Sequence, residues 1–589
     1  VKGCEVSIEC EGGIWPLTGF PYKGGILHPD PSKAGVGISF VGGVVPTWEY
    51  QIPNGLQVIF SLLIARGSPS SILTWELRDK PATKAKLIVR PFLSWNKLHA
   101  LQKESGVPLC DSKIEKDAVS FLYPDSDNPL YAVSSGSFNI SPNWYHSVYY
   151  EEEEGRGYDS TEDLYSPGYF EIQLGTGGGL VGFSYGKKYS AQELMTAREV
   201  EVCRRNKLSR LEFSSEQFLV KRNSGSSIIA GYPWFSDWGR DAFISLRGLC
   251  LPFARIEESL SILSTWGSGI KDGLIPNSFS ENGSVPIYNS VDAALWYVIA
   301  SYETFKKSTD LKLKDDRVLQ IKKNIQEIIQ SFLKGTSFNI GMDSDFLLRA
   351  GVAGFQLTWM DAKIDNEVVT PRIGKPVEVQ ALWINSLRAA AAILNDQSLG
   401  EIASKAENSF NIKFWNDRLR CLYDVVDVDH KPGQNDDTLR PNQIFALGGL
   451  PWTILSGERA KDVLNLIESD LLTPVGLKTL STSNSQYFGR YEGSQRERDH
   501  AYHQGTVWLW LMGAFVDAWL RARGYSQEAK NEARARFLAP LSACAEKNNH
   551  LPEIADGDYP HLLRGSPFQA WSLGELIRIS EMCRGDEDI

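Results

Sequence analysis

No C-x-x-C pair occurs in this 589-residue chain, and its eight cysteines (Cys4, Cys10, Cys110, Cys203, Cys250, Cys421, Cys544 and Cys583) are scattered. That scatter excludes a zinc ribbon or a thioredoxin-like motif and fits a reducing compartment, so a cytoplasmic location is expected. No apolar run is long enough to span a bilayer, and the opening VKGCEVSIECEGG lacks a signal-peptide core. The chain starts on Val1 without an initiator methionine, which predicts processing or a missing upstream stretch. Positive charge is short as well. Sixty-one Lys and Arg against 72 Asp and Glu leave a net −11, which argues against a nucleic-acid partner, because phosphate binding needs clustered cations. His503 reads as an oriented structural residue rather than a ligand, and no metal and no cofactor is expected.

What is present points to a large soluble protein. The length exceeds one ordinary core and predicts two domains, or a large barrel with an appendage. Seventeen Trp and 22 Tyr offer flat faces that stack on sugar rings, although large cores use tryptophan too.

Residues 1–190 read as an antiparallel β-sandwich: SILTWELRD, AKLIVRPFLSW and GYFEIQLG alternate with period two between Gly, Pro, Asn and Asp clusters. The Gly177-Gly179-Gly182 match to GxGxxG is followed by FSYGKK, not a helix, so a hairpin turn is expected. Glu151–Glu154 reads as a solvated edge. Residues 191–225 read as a charged linker helix and an extended piece. From 226 to 589 the period is helical, and two kinds of helix alternate. VDAALWYVIASY (291–302), VEVQALWINSLRAAAAIL (377–394) and TVWLWLMGAFVDAWL (506–520) are apolar almost all round. Residues 311–334 and 527–547 carry a charged face. Helices buried on both sides and sheathed by amphipathic ones predict an (α/α)6 barrel. WGRD, YNSVD, GKPVE, YHQG and SPFQ each stand just before, or in the first turn of, an inner helix. Helix N-termini that open on one face gather unpaired N–H groups there, so a pocket is expected on that face.

The stretches AGYPWFSDWGRDAFISLRGL, LTWMDAKIDNEVVTPRIGKPVEVQALW, RPNQIFA, AYHQGTVWLWL and LPEIADGDYPH with QAWSLGEL lie in order across 230–575. Together they resemble the amylo-α-1,6-glucosidase family, the glucosidase half of glycogen debranching enzymes in its stand-alone bacterial and archaeal form. WYHSVYYEEEEGRGYDSTEDLYSPGYF resembles that family's N-terminal domain, which usually carries a further β segment upstream. The chain has GTVWLWL where many relatives have GTVWPWL, and the glucanotransferase half of the eukaryotic enzymes has no counterpart.

The resemblance implies an exo-acting, inverting glycosidase that removes single α-1,6-linked glucose from debranched glycogen or related dextrins. Such hydrolysis needs two carboxyls across the scissile bond. Asp292 is expected as the general acid, by likeness to related α/α-barrel glycosidases with an acid in a similar VD…LW setting. Its apolar neighbours Ala293–Trp296 would hold a proton, while a helix N-terminus would favour the ionised form. Glu553 is expected as the general base, with Asp556 and Asp558 as rival carboxylates. Arg240 and Asp241 are expected to grip the terminal glucose beside Trp234 or Trp238, as a similar Trp-x-Arg-Asp does in glucoamylases. A capping Asp with a surface Arg, or Asp241 as the acid itself, remain alternatives. Further lining residues are Trp296, Trp359, Asp361, Glu378, Gln504, Trp508, His561, Gln569 and Trp571. Two other functions compete: an α-1,4- or mixed-linkage glucosidase of glucoamylase type, and a non-catalytic glucan-binding protein. The expected partner is an α-glucan, with no nucleic acid and no membrane.

Overall fold

The computed structural model describes residues 1–78, 85–97, 99–106, 108–175, 177–279, 286–308, 315–365, 367–546 and 549–585. The chain divides into two compact units, Val1–Ser209 and Arg210–Ile589.

Period-two alternation builds the first unit. In Ala85–Phe92, Ala85, Leu87 and Val89 point inward and Lys86, Ile88 and Arg90 do not. Leu87 stands opposite Ile8 on one neighbour and Ile172 on the other. That strand lies in a sheet ordered Ser137–Tyr149, Thr161–Leu174, Ala85–Phe92, Gly3–Cys10, Gly13–Pro16. A second antiparallel sheet runs from Asp111–Ile114 through Gly179–Tyr185 and Ser70–Arg78 to Gly37–Val41. The inward faces of both sheets, Val6, Leu87 and Phe170 from one and Val58, Trp75 and Phe183 from the other, share a core. The glycine-rich stretch is a turn into Gly179–Tyr185, with Gly178 at φ +67. Glu151–Glu154 is not an edge but the start of a one-turn helix, Glu151–Gly155, where a helix N-terminus favours carboxylates.

The stretch 191–225 is divided between the units. Helix α1 (Ala191–Arg205) opens on a capping box of Ser190 and Glu193. It seats Leu194 against Ile72, Val133 and Leu180 of the first unit. Helix α2 (Arg210–Glu216) and the hairpin Leu219–Arg222/Gly225–Ile228 belong to the second.

In the second unit, helices buried all round alternate with striped ones. Every residue of α3 (Gly239–Leu249) is buried, and α4 (Ile256–Gly267) returns over it. Next come α5 (Asp292–Lys307) and α6 (Asp316–Lys334), whose buried stripe is Val318, Ile321, Ile325, Ile328, Ile329 and Phe332. Then follow α7 (Val377–Leu394), α8 (Gln397–Lys413), the 3-10 segment Pro441–Ala446 and α9 (Gly457–Asp470). The chain closes with α10 (Leu511–Arg521), α11 (Gln527–Ala533), α12 (Ala539–Ala545) and α13 (Ala570–Met582). Helix α3 touches α5, α5 touches α7, α7 touches the 3-10 segment, and that segment touches α10; α10 then touches α13, which touches α3.

Three boundaries differ from the sequence reading. Residues 311–314 lie outside the described residues, and α6 starts at Asp316. Val507–Trp508 is a strand, paired with Leu477–Lys478 and Ile554–Ala555, so α10 begins only at Leu511. The helix expected over 527–547 is interrupted by a π turn, Arg534–Leu538, just before Pro540, whose ring and missing N–H break regular i→i+4 bonding.

Helices α3 and α13 meet backbone to backbone: a Cβ added to Gly248 would lie 2.0 Å from the Gly574 carbonyl oxygen. Gly248→Ala is therefore expected to destabilise the protein by about 1–3 kcal/mol, the usual cost of overpacking, read as a lowered urea midpoint.

Candidate active site

The segment before α3 is fixed by a buried aspartate. Asp237 accepts from Arg222 at 2.9 and 3.0 Å and from the Ser227 hydroxyl at 2.7 Å. Gly239 follows where a side chain would meet the Pro276 carbonyl at 2.5 Å, so only glycine lets the helix start there. Arg240 and Asp241 thus fall in the first turn of α3.

Arg240 is the hub of the site. Its Nε stands 2.8 Å from each carboxylate oxygen of Asp292, in the first turn of α5, and its Nη1 donates to Asp361 at 3.1 Å. The Ser290 hydroxyl donates to Asp292 at 2.6 Å and accepts from the Ala293 N–H, which caps α5. The side chains of Arg240 and Asp292 are 3% and 2% exposed, whereas Asp361 keeps 33%, so the cluster meets solvent at Asp361. Asp241 is pushed up to about 7, chiefly by burial; Arg240 opposes this, and the negative charges of Asp361 and Glu553 add to it.

Glu553 comes from a different part of the chain. Its backbone N–H bonds Ser566, and the next residues, Ile554–Ala555, pair with both Val507–Trp508 and Leu563–Arg564. Glu553 itself lies just ahead of this hairpin. Tyr502 donates to one oxygen of the buried Glu553 carboxylate, and the Ser566 N–H donates to the other at 3.0 Å. Burial and the Glu553 charge hold the Tyr502 phenol well above its ordinary pKa, so it remains a donor.

Behind this cluster lies an aromatic wall. Trp359 donates to Asn442 at 2.8 Å and meets His503, Trp508 and Trp510 edge-on, with centroids 5.3–5.4 Å apart. Trp510 stacks on Trp571. Among the described residues, both His503 ring nitrogens, the indole N–H of Trp510 and of Trp571, and the Gln569 carbonyl oxygen have no partner. Burial and the cations Arg440, Arg240 and Arg372 hold His503 far below its usual pKa, so it is neutral. Among the described residues no group of three or more His, Cys, Asp or Glu is arranged to hold a metal, and no helix is long and apolar enough to cross a membrane.

The residues expected at the site are thus distributed unevenly. Arg240, Asp241, Asp292, Asp361 and Glu553 converge, with Trp359, Trp508 and Trp571 behind them. Glu378 is bound to Arg372, which also takes Asp424 at 2.8 and 3.0 Å, so its carboxylate is committed to a buried ion pair. Gln504 accepts from Arg440 at 2.7 Å. Trp296 lies one turn into α5, with the Arg247 guanidinium 5.2 Å over its ring and Phe445 beside it. His561 sits on the outer loop, bonded to the Asp556 carbonyl. Asp556 is held by Arg564 at 3.0–3.2 Å, and Asp558 by the Tyr487 hydroxyl at 3.1 Å. Trp234 and Trp238 are half-buried at the entrance to α3. Tyr502, Arg372, Asp424, Asn442 and Trp510 were missed; Tyr502, Arg372 and Asn442 fall in polar breaks ahead of an inner element, whereas Trp510 lies in an apolar run and Asp424 far ahead of the next inner element.

The family described as amylo-alpha-1,6-glucosidase matches residues 213–578, and that described as glycogen debranching enzyme N terminal matches residues 1–181. The chain belongs to the amylo-alpha-1,6-glucosidase family. The glycogen debranching enzyme of Saccharomyces cerevisiae is 25% identical over 459 residues, which are 60% of this chain. This glucosidase-family chain spans only 30% of that relative's length. A crystal structure of a bacterial glucoamylase complexed with acarbose superposes with a TM-score of 0.55 at 12% identity, covering 98% of this chain and 87% of that one. That likeness is one of fold.

The raised Asp241 has a stability consequence. Because its folded pKa exceeds the unfolded value, the native state holds the extra proton between about pH 4 and 7 and loses stability as pH rises through that window. Asp241→Asn removes the group, so the variant's stability relative to wild type is expected to improve by about 4 kcal/mol between pH 4 and pH 8. Urea unfolding of both proteins at the two pH values checks this.

Proposed function

We propose that this protein is an exo-acting glycoside hydrolase that removes single α-1,6-linked glucose residues from debranched glycogen or related dextrins with inversion. In this reading the first unit is a β-sandwich and the second an (α/α)6 barrel. The observation that carries it is the meeting of the Arg240–Asp241–Asp292–Asp361 cluster with Glu553, from motifs some 190–310 residues apart in sequence, on the side where the inner elements begin.

In the mechanism, Glu553, aligned by Tyr502 and the Ser566 N–H, takes a proton from water. The water oxygen bonds to the anomeric carbon as the bond to the glycosidic oxygen breaks. That bonding pair passes to the leaving oxygen, which takes a proton from the general acid. An inverting pair stands about 6.5–9.5 Å apart to admit the water. Asp292 is the acid by family resemblance, and Arg240 with Asp241 would hold the sugar's hydroxyls. The buried indole N–H groups of Trp510 and Trp571 and the Gln569 carbonyl are donors and an acceptor suited to the same ring.

A specific observation favours a second assignment. Both Asp292 oxygens already accept from Arg240, whereas Asp241, pushed up to about 7, retains a proton near neutral pH. On this reading Asp241 is the acid and Asp292 an anchor for Arg240.

A substrate whose leaving group needs no proton separates the two. With α-glucosyl fluoride, the variant lacking the acid should keep near-normal turnover while losing about 10²–10⁴-fold on a dextrin. A variant lacking a sugar-binding carboxylate should fall on both. Asp292→Asn and Asp241→Asn are the pair to compare. Glu553→Gln should lose both activities, and freshly released glucose should be the β-anomer by proton NMR. Release of α-glucose first would overturn inversion.

A further inference from the structure

Beside the acid cluster, a cleft of about 770 Å³ is cut into the second unit by segments that belong to no inner helix. One wall is the hairpin Lys363–Ile364/Glu367–Val368, and another is the strip 486–500. A third is Asp558, whose N–H bonds the Gly489 carbonyl at 2.9 Å and whose carboxylate accepts from Tyr487. Two connections tie the cleft to the site. Gln504, two residues after Tyr502, lines it, and its carbonyl accepts the Phe488 N–H. Asp558 lies on the same 554–564 hairpin that follows Glu553, and the ring of Tyr491 stands 5.7 Å from that of Tyr502.

The lining is unlike a core or an ion site. Phe488 is 48% exposed, with His500 edge-on to its ring at 4.4 Å, and the Nδ1 of His500 has no partner among the described residues. Around them stand long, half-free polar arms, Arg490, Arg496 and Glu367, of mixed sign. Just outside, on the turn after Asp558, Tyr559 is 85% exposed and Leu562 48%. Four carboxylates (Glu367, Glu492, Glu497 and Asp558) against Arg490 and Arg496 would repel an anionic chain, and exposed aromatic faces among these donors and acceptors suit a neutral polyhydroxylated one. Sugar C–H faces stack on the rings, and hydroxyls bond the arms. The volume falls in the range that holds an extended ligand larger than one sugar ring.

We propose that this cleft binds the α-1,4-glucan chain that carries the glucose stub, the part of the substrate that leaves after hydrolysis, with Phe488 as its stacking platform and Arg496 as a polar arm. The proposal rests on the glycosidase reading above. It places recognition of the polymer on the 363–369 and 486–500 segments and recognition of the terminal glucose on the Arg240 cluster.

The test compares two substrates that share the glucosyl site, of which only one reaches the cleft: α-glucosyl fluoride and a glycogen limit dextrin. Phe488→Ala and Arg496→Ala are each expected to lower kcat/KM on the dextrin by about tenfold while changing the fluoride rate by less than about twofold. A fall of equal size on both substrates, or an unchanged rate on the dextrin, would overturn the assignment. Calorimetric titration of maltoheptaose gives a readout free of turnover. Wild type should bind it, and Phe488→Ala should bind it about tenfold more weakly. No binding by wild type, or equal binding by the variant, would overturn the cleft assignment. A wild-type protein that binds maltoheptaose yet hydrolyses neither substrate would sink the glycosidase reading and leave the glucan site standing.

Discussion

The arrangement depends on one buried guanidinium. Arg240 is 3% exposed and is surrounded by Asp292, Asp361 and Asp241. Taking a cation out of water costs several kcal/mol unless carboxylates and hydrogen bonds replace the solvent, and here they do. The same fork ties the start of α3 to the start of α5 and to the loop that carries Asp361. Burial is the larger force that pushes Asp241 up to about 7; the neighbouring charges of Asp361 and Glu553 add to it, because several acids around one cation cannot all ionise cheaply, and Arg240 opposes it. A cluster left with excess negative charge also suits a reaction whose transition state is positive at the anomeric carbon. Structural anchoring and chemical poise therefore come from one group.

A second buried cation plays a supporting part. Arg372 gathers Glu378 and Asp424, Asn442 donates to Asp424 at 2.8 Å, and Asn442 in turn accepts from Trp359. The wall of indoles is thereby keyed to the first turn of α7 and to the 3-10 segment. His503, stacked on Trp508 and kept neutral by burial and by the surrounding arginines, adds bulk to that wall without adding charge. Loosening Arg372 would therefore reach the sugar site through the aromatic rings, at a distance from any reacting atom.

Much of this was legible in the sequence, for identifiable reasons. All-round apolar stretches can be stable only when buried on both sides, so the inner helices α5 and α7 were readable from 291–302 and 377–394. Polar residues interrupting such stretches near their starts marked Arg240, Asp241 and Asp292. What stayed hidden was pairing. Period reports a face but not the partner, so the sequence left open that Glu378 would be taken by Arg372, or that Trp296, one turn too far along α5, would face Arg247 in the core. Tyr502 was quoted within its motif, yet its role depends on a hairpin at 554–564 that two-residue strands are too short to announce. Glu151–Glu154 misled because a run of carboxylates reads as a solvated edge until a helix N-terminus is known to lie there.

The division of the site into a deep cluster and a side cleft bears on linkage. In the proposed reading the Arg240 cluster and the indole wall hold a single ring, and a glucosyl ring is the same object whether its anomeric oxygen belongs to an α-1,4 or an α-1,6 bond. Discrimination between the two must come from groups that touch the leaving side, because specificity is a difference between affinities and shared contacts cancel from it. In the proposed reading the leaving side faces the hairpin Lys363–Ile364/Glu367–Val368, which follows Asp361 closely, and the strip 486–500, which ends just before Tyr502. The family motif that carries Asp361 also carries this hairpin, so on that reading one motif bears on the sugar and on the leaving side alike. The strip 486–500 is bonded to the Glu553 hairpin, by the Asp558 N–H to the Gly489 carbonyl and the Tyr491 N–H to the Asp556 carboxylate, so a change of linkage choice there would also shift the support of the base.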